Sequence, residues 1–148
     1  MQKLFVFCFI GVVLITSCIK PPNYSDTPSI TFVRFSKSSI KAFSDSIQLV
    51  FTFTDGDGDI GPLNKNDTTL NLFLTDSRDN SVKKYQLPNI TPSGSVKAIS
   101  GEVTVTIGPF ACKAGVDTDQ LTYTIRIKDR AGHMSNSVTT SPLTLDCN

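Results

Sequence analysis

The sequence predicts an all-β protein: a single seven-stranded antiparallel sandwich, preceded by a leader and a tether. Three observations predict it. From Ser29 onward Val, Ile, Thr and Phe recur in short runs that alternate with polar residues. Gly, Pro, Asn, Asp and Ser gather between those runs, and no segment carries a helical period of about 3.6. Alternation at period two puts one set of side chains on each face of a strand, so each run reads as half-buried sheet.

The chain opens on a leader. Lys3 is the only charged residue before Lys20, and Leu4 to Ile15 form an apolar stretch of about a dozen residues. A membrane-spanning helix needs ~20. A basic start followed by a short apolar core marks residues 1–17 as a signal peptide. It ends Leu14-Ile15-Thr16-Ser17-Cys18, which resembles the lipobox of bacterial lipoproteins: Ile15 and Thr16 fit its looser middle positions and Ser17 its small one. The resemblance implies a diacylglycerol on the Cys18 sulfur, cleavage before Cys18 and acylation of the new amine. The competing reading is a plain signal peptide with an incidental cysteine. Each buried methylene contributes ~0.8 kcal/mol, and two acyl chains hold a protein stably on a bilayer. No later apolar stretch is long enough to span, so the lipid is the expected anchor. Ile19 and Lys20 carry no inner-membrane retention signal of the Asp type, so the expected location is the cell envelope, at the outer membrane. Residues 18–28 hold Pro21, Pro22 and Pro28 without periodicity and read as a tether.

Residues 29–148 are the expected β domain. Its strands are read at 29–35, 46–54, 69–75, 81–87, 101–107, 120–128 and within 134–145, the last interrupted near Pro142. In the second, Ile47, Leu49, Phe51 and Phe53 share one face, while Gln48, Thr52 and Thr54 take the other. Leu70, Leu72 and Leu74 point inward in the third, and Val103, Val105 and Ile107 in the fifth. In the sixth, Leu121, Tyr123, Ile125 and Ile127 oppose Thr122, Thr124, Arg126 and Lys128. The run Leu121-Thr122-Tyr123-Thr124-Ile125-Arg126-Ile127 resembles the F strand of fibronectin type III and related immunoglobulin-like domains. Asp129 to Asn136 resembles the turn that follows it in bacterial immunoglobulin-like modules. This implies an immunoglobulin-like sandwich. The chain has no Trp, so the core Trp of those families is missing, and Phe51 or Phe53 is expected in its place.

Removal of the leader leaves 131 residues with 13 basic and 13 acidic side chains. That is enough chain for one domain with a core. The neutral balance argues against nucleic acid as a partner and against a polybasic membrane patch. Of four cysteines, Cys8 leaves with the leader and Cys18 takes the lipid. Cys112 and Cys147 remain in an oxidising compartment, and a disulfide between them is expected. With strands alternating in direction, both fall at the same end of the sandwich.

Asp55-Gly56-Asp57-Gly58-Asp59-Ile60-Gly61 follows the second strand directly. Alternating carboxylates on a Gly-rich backbone can converge several hard oxygens on one cation, and Ca2+ takes about 6–8 of them. The segment is not an EF-hand. Counting from Asp55, Ile60 stands where the loop Gly belongs, Asn66 where the bidentate Glu belongs, and the flanks are strands. In the predicted topology Asp129 approaches Asp55, Asp57 and Asp59, making four candidate ligands whose mutual repulsion a Ca2+ would relieve. The alternative is a solvated turn, for which Asp and Gly are favoured residues. The segment also resembles part of small bacterial envelope lipoproteins, which implies a class and no activity.

Enzyme chemistry finds little to work with. His133 is the only histidine and Glu102 the only glutamate. One exposed His cannot support a convincing Ser-His-Asp set, and one His with two paired cysteines does not make a zinc site. The Gly-flanked aspartates read as solvated, not as the raised-pKa acid that glycoside hydrolysis requires. The expectation is a non-catalytic, lipid-anchored envelope module that binds or supports another envelope protein or a glycan, with Ca2+ as the sole cofactor in question. The runner-up is a carbohydrate- or ligand-binding accessory lipoprotein, which the lack of Trp weakens because sugar platforms favour large aromatic faces. Tyr85 would be a weak substitute.

Overall fold

The computed structural model describes residues 22–64, 66–91 and 98–148. The leader, Cys18 and the first part of the tether lie outside the described residues. Within them the chain is all-β, without helix. Its strands are β1 (Ser29–Phe35), β2 (Ser39–Lys41), β3 (Ile47–Asp55), β4 (Leu72–Asp76), β5 (Val82–Tyr85), β6 (Ile99–Ile107), β7 (Thr118–Leu121), β8 (Tyr123–Ile127), β9 (Val138–Thr139) and β10 (Leu143–Asp146).

They form three sheets, ordered β1-β3-β6, β5-β4-β8-β9 and β2-β10-β7. Every pairing is antiparallel except β2 with β10, which is parallel. The longest ladder runs from Ile47 opposite Ile107 to Asp55 opposite Ile99. Period-two alternation holds along β3 except at Val50: Ile47, Leu49, Phe51 and Phe53 are buried, Gln48 and Thr52 are exposed, and Val50 is buried as well. Phe51 and Phe53 both sit in the core, where one of them was expected to stand for the missing Trp. The same parity carries one inward position further, two residues on, and buries Asp55 completely. In β8 the alternation buries Tyr123, Ile125 and Ile127, and its next inward position is Asp129. Two strands therefore each deliver a carboxylate to the same end of the core.

Four elements depart from the expected pattern. The strand expected over 69–75 starts at Leu72, and Leu70 is exposed at the rim. The buried Asn71 takes over there, its Oδ1 accepting the Leu87 N–H at 2.7 Å. The single strands expected at 120–128 and 134–145 are each divided, with β7 pairing on β10 and β8 on β9. At the division the Tyr123 N–H donates to the Thr140 hydroxyl at 2.9 Å, and the Thr140 N–H returns a 2.9 Å bond to the Tyr123 carbonyl. A side chain thus replaces a ladder carbonyl just before Pro142, which has no N–H to offer. Finally, β2 is too short to show a period, yet it buries Ile40.

Cys112 and Cys147 are joined in a disulfide with a Cα–Cα distance of 6.0 Å. It ties the β6–β7 loop to the end of β10 and closes a loop worth ~4 kcal/mol in the chain-entropy model. Nearby, Arg78 bonds bidentately to Asp76, at 3.0 and 2.8 Å, and to Asp119 at 2.6 Å. This disulfide end lies opposite the end where β3 stops at Asp55 and β1 begins at Ser29.

Candidate metal centre

The acidic end is built from the exit of β3. Asp55 Oδ2 accepts the Asp59 N–H at 2.9 Å, which curls residues 55–59 into a tight loop. Gly58 and Gly61 take positive φ, at 67° and 84°, a conformation that side-chain-bearing residues resist. The Gly61 position also leaves no room for a Cβ, which would collide with the Pro88 carbonyl. The Thr91 hydroxyl donates to the Gly58 carbonyl, holding the outer side of the loop.

Two other segments close on this loop. From the turn after β8, the Ala131 N–H donates to Asp59 Oδ2 at 2.8 Å and the Arg130 N–H to the Asp59 carbonyl at 3.2 Å. Arg130 Nη1 donates to the Gly61 carbonyl at 2.6 Å. From the N-terminal side, the Ser25 carbonyl accepts the Gly56 N–H at 2.8 Å. A Cβ on Gly56 would strike the Tyr24 carbonyl and lie 2.8 Å from Asp26 Oδ1. Residues 24–26, read from sequence as part of a free tether, are therefore docked on the loop.

One carboxylate oxygen from each of Asp55, Asp57 and Asp59 lies within 4.8 Å of the other two. The Oδ1 atoms of all three are buried and have no hydrogen-bond partner among the described residues. Buried polar atoms normally find a partner, so three orphans in one loop call for an explanation. The electrostatics agree. Burial, against the bond from the Asp59 N–H, pushes the Asp55 carboxyl up to about 6, with the charges of Asp57, Asp59 and Asp129 adding to the rise. Asp59 is raised by burial and by Asp129 and Asp57, against the Ala131 N–H and Arg130.

Asp129 is brought to the cluster but spends its oxygens locally. Its Oδ1 accepts the Gly132 and His133 N–H groups at 2.6 and 2.7 Å, and its Oδ2 meets His133 Nδ1 at 2.9 Å. It shapes the turn that presents Ala131 to Asp59, and it adds negative charge. The bond to Asp129 and its charge raise the His133 pKa. Among the described residues no hydroxyl or thiol is bonded to that ring. Cys112 and Cys147 are oxidised, leaving an all-oxygen donor set that suits Ca2+, Mg2+ or Mn2+ and not a thiophilic metal.

Of the four aspartates singled out in the sequence, Asp55, Asp57 and Asp59 are brought together and Asp129 lies beside them with its oxygens engaged elsewhere; the docked Tyr24–Asp26 arm was not foreseen. The parity of β3 and β8 was the available signal that Asp55 and Asp129 are buried and not solvated. Beside the loop an open cavity of about 330 Å³ is lined by Pro62, Leu70, Asn71, Lys128 and Arg130. Comparison of the chain with protein-family models, curated proteins and solved structures found no match.

Proposed function

We propose that this chain is a non-catalytic, lipid-anchored module of the cell envelope. Its domain is an immunoglobulin-like or fibronectin type III-like sandwich, held at the outer membrane by acylated Cys18, and it binds or supports another envelope protein or a glycan. The observation that carries this reading is Leu14-Ile15-Thr16-Ser17-Cys18 after a basic, apolar leader. The strand order supports the fold half of the reading. The two larger sheets are ordered β1-β3-β6 and β5-β4-β8-β9, and the final strand, β10, has a short parallel partner in β2.

Docking of residues 24–26 on the acidic loop supports a short leash. Six peptide links separate Cys18 from Tyr24, the first docked residue, a reach of at most roughly 21 Å. The acidic end then lies toward the bilayer and the disulfide end, with exposed Phe43 and Val116, is turned outward. Metabolic labelling with a palmitate analogue tests the anchor: the wild type should be marked and membrane-bound, and Cys18→Ala unmarked and released. An unlabelled protein whose Cys18→Ala variant stays with membranes overturns the reading.

The cavity beside the loop favours a second reading, a carbohydrate- or small-ligand-binding accessory lipoprotein. Pockets of a few hundred Å³ with a few convergent polar groups suit small ligands, and Tyr85 is partly buried against the core. A saturable hit on a glycan array would favour it.

A further inference from the structure

We propose that Asp55, Asp57 and Asp59 form a Ca2+ site, and that the bound ion fastens the N-terminal arm, the β3–β4 loop and the turn after β8 into one unit. This goes beyond the envelope reading and does not depend on it, because the lipid anchor is read from different residues.

The argument begins with the three orphan oxygens. Asp55 is fully buried, and with Oδ2 committed to the Asp59 N–H its Oδ1 has no partner. Asp59 repeats the pattern, with Oδ2 committed to Ala131 and Oδ1 unpartnered. Asp57, at the loop's apex, supplies the third unpartnered Oδ1. Leaving a buried acceptor without a donor is costly, and leaving three negatively charged ones together is more so. Asp129 adds a fourth charge, while Arg130 has turned Nη1 to the Gly61 carbonyl. A dication is the group that satisfies all three oxygens at once.

Geometry selects the ion. A Ca2+ about 2.3–2.6 Å from each ligand tolerates ligand separations of up to about 5 Å and irregular shells completed by water or carbonyls. One carboxylate oxygen from each of the three residues lies within 4.8 Å of the other two, which fits that reach. Mg2+ demands near-octahedral ligands at about 2.0–2.1 Å and gives up water reluctantly.

The fastening follows from where the hydrogen bonds go. Gly56, between two of the ligands, gives its N–H to Ser25, and Asp59 takes bonds from Ala131 and Arg130. An ion that fixes the loop fixes the donors and acceptors that hold both neighbours.

The test uses the full chain purified in detergent, with CaCl2 or MgCl2 as the probe. Calorimetry should show saturable Ca2+ binding at or below about millimolar concentration and weaker Mg2+ binding. Chelation should lower the melting temperature by several degrees, and hydrogen exchange across 22–28 should slow when Ca2+ is added. Asp57→Asn, at a half-buried position, should fold and lose at least about tenfold in Ca2+ affinity through the lost ligand charge. Failure of Ca2+ to bind, tighter binding of Mg2+, or an undiminished Ca2+ response in Asp57→Asn overturns the site. Ca2+ binding without change in exchange at 22–28 overturns the fastening. Loss of the lipid label with Ca2+ binding intact would sink the envelope reading and leave this one standing.

Discussion

The Gly56 N–H donates to the Ser25 carbonyl at 2.8 Å, so the chain leading into β1 lies against the acidic loop. Glycine is required there by space. The arm's backbone occupies the volume in which a side chain would begin.

Gly56→Ala should therefore lift the arm off the loop. The expected cost is about 1–3 kcal/mol, the range for overpacking at a tight backbone approach. Thermal unfolding should show a lower midpoint, and hydrogen exchange at 22–28 should rise. A variant that melts with the wild type and keeps its arm protected would mean that the contact carries no weight.

At the opposite end, Arg78 sits between Asp76 and Asp119, and also donates to the Ala111 carbonyl at 2.8 Å. Removing one member of a buried ion pair leaves an uncompensated charge. Arg78→Met should cost roughly 3–5 kcal/mol, and Arg78→Met with Asp119→Asn should cost less than Arg78→Met alone. Urea unfolding with an unchanged slope measures this directly. Equal losses in the two variants would show that the charge left behind is not what destabilises.

The same cluster sets an acid limit. Burial alone would raise the Asp119 carboxyl, but the Lys113 N–H, Arg78 and the Gln120 N–H together hold it below the usual range. A carboxyl depressed on folding contributes stability that is fully present above its unfolded value, near 4, and is lost as pH falls through the folded value. The Asp119 contribution should therefore hold as pH drops to about 4 and be lost below it, whereas the raised Asp55 and Asp59 carboxyls favour the folded state as pH falls toward 4, so Asp119→Asn should flatten the decline below pH 4. Melting curves from pH 6 to pH 2 in the presence of fixed salt check the sign. An Asp119→Asn profile as steep as the wild type would remove Asp119 as the cause.

Tyr123 offers the converse case. Its ring is fully buried, its hydroxyl has no partner among the described residues, and burial raises its pKa. Tyr123→Phe removes an unsatisfied group without changing the shape of the core. Its stability should fall within about 1 kcal/mol of the wild type or exceed it. A loss of more than about 2 kcal/mol would reveal a hydrogen-bond partner, such as an internal water.

By itself the sequence determined the class of structure and the faces of its strands, because side-chain alternation is a local property of extended chain. Ile47, Leu49, Phe51 and Phe53 in β3, and Tyr123, Ile125 and Ile127 in β8, needed no tertiary information to be assigned inward. Cys112 and Cys147 could be paired because the expected leader and lipid attachment set Cys8 and Cys18 aside. The tertiary structure decided what depends on hydrogen bonds between distant segments. It divided the last two long strands between sheets at Tyr123 and Thr140, and it recruited Ser39–Lys41 as a parallel edge. It laid Ser25 on Gly56, committed Asp129 to His133 and left one buried oxygen on each of three clustered aspartates without a donor. A backbone N–H carries no residue label, so nothing in a short window of sequence says which remote carbonyl will receive it.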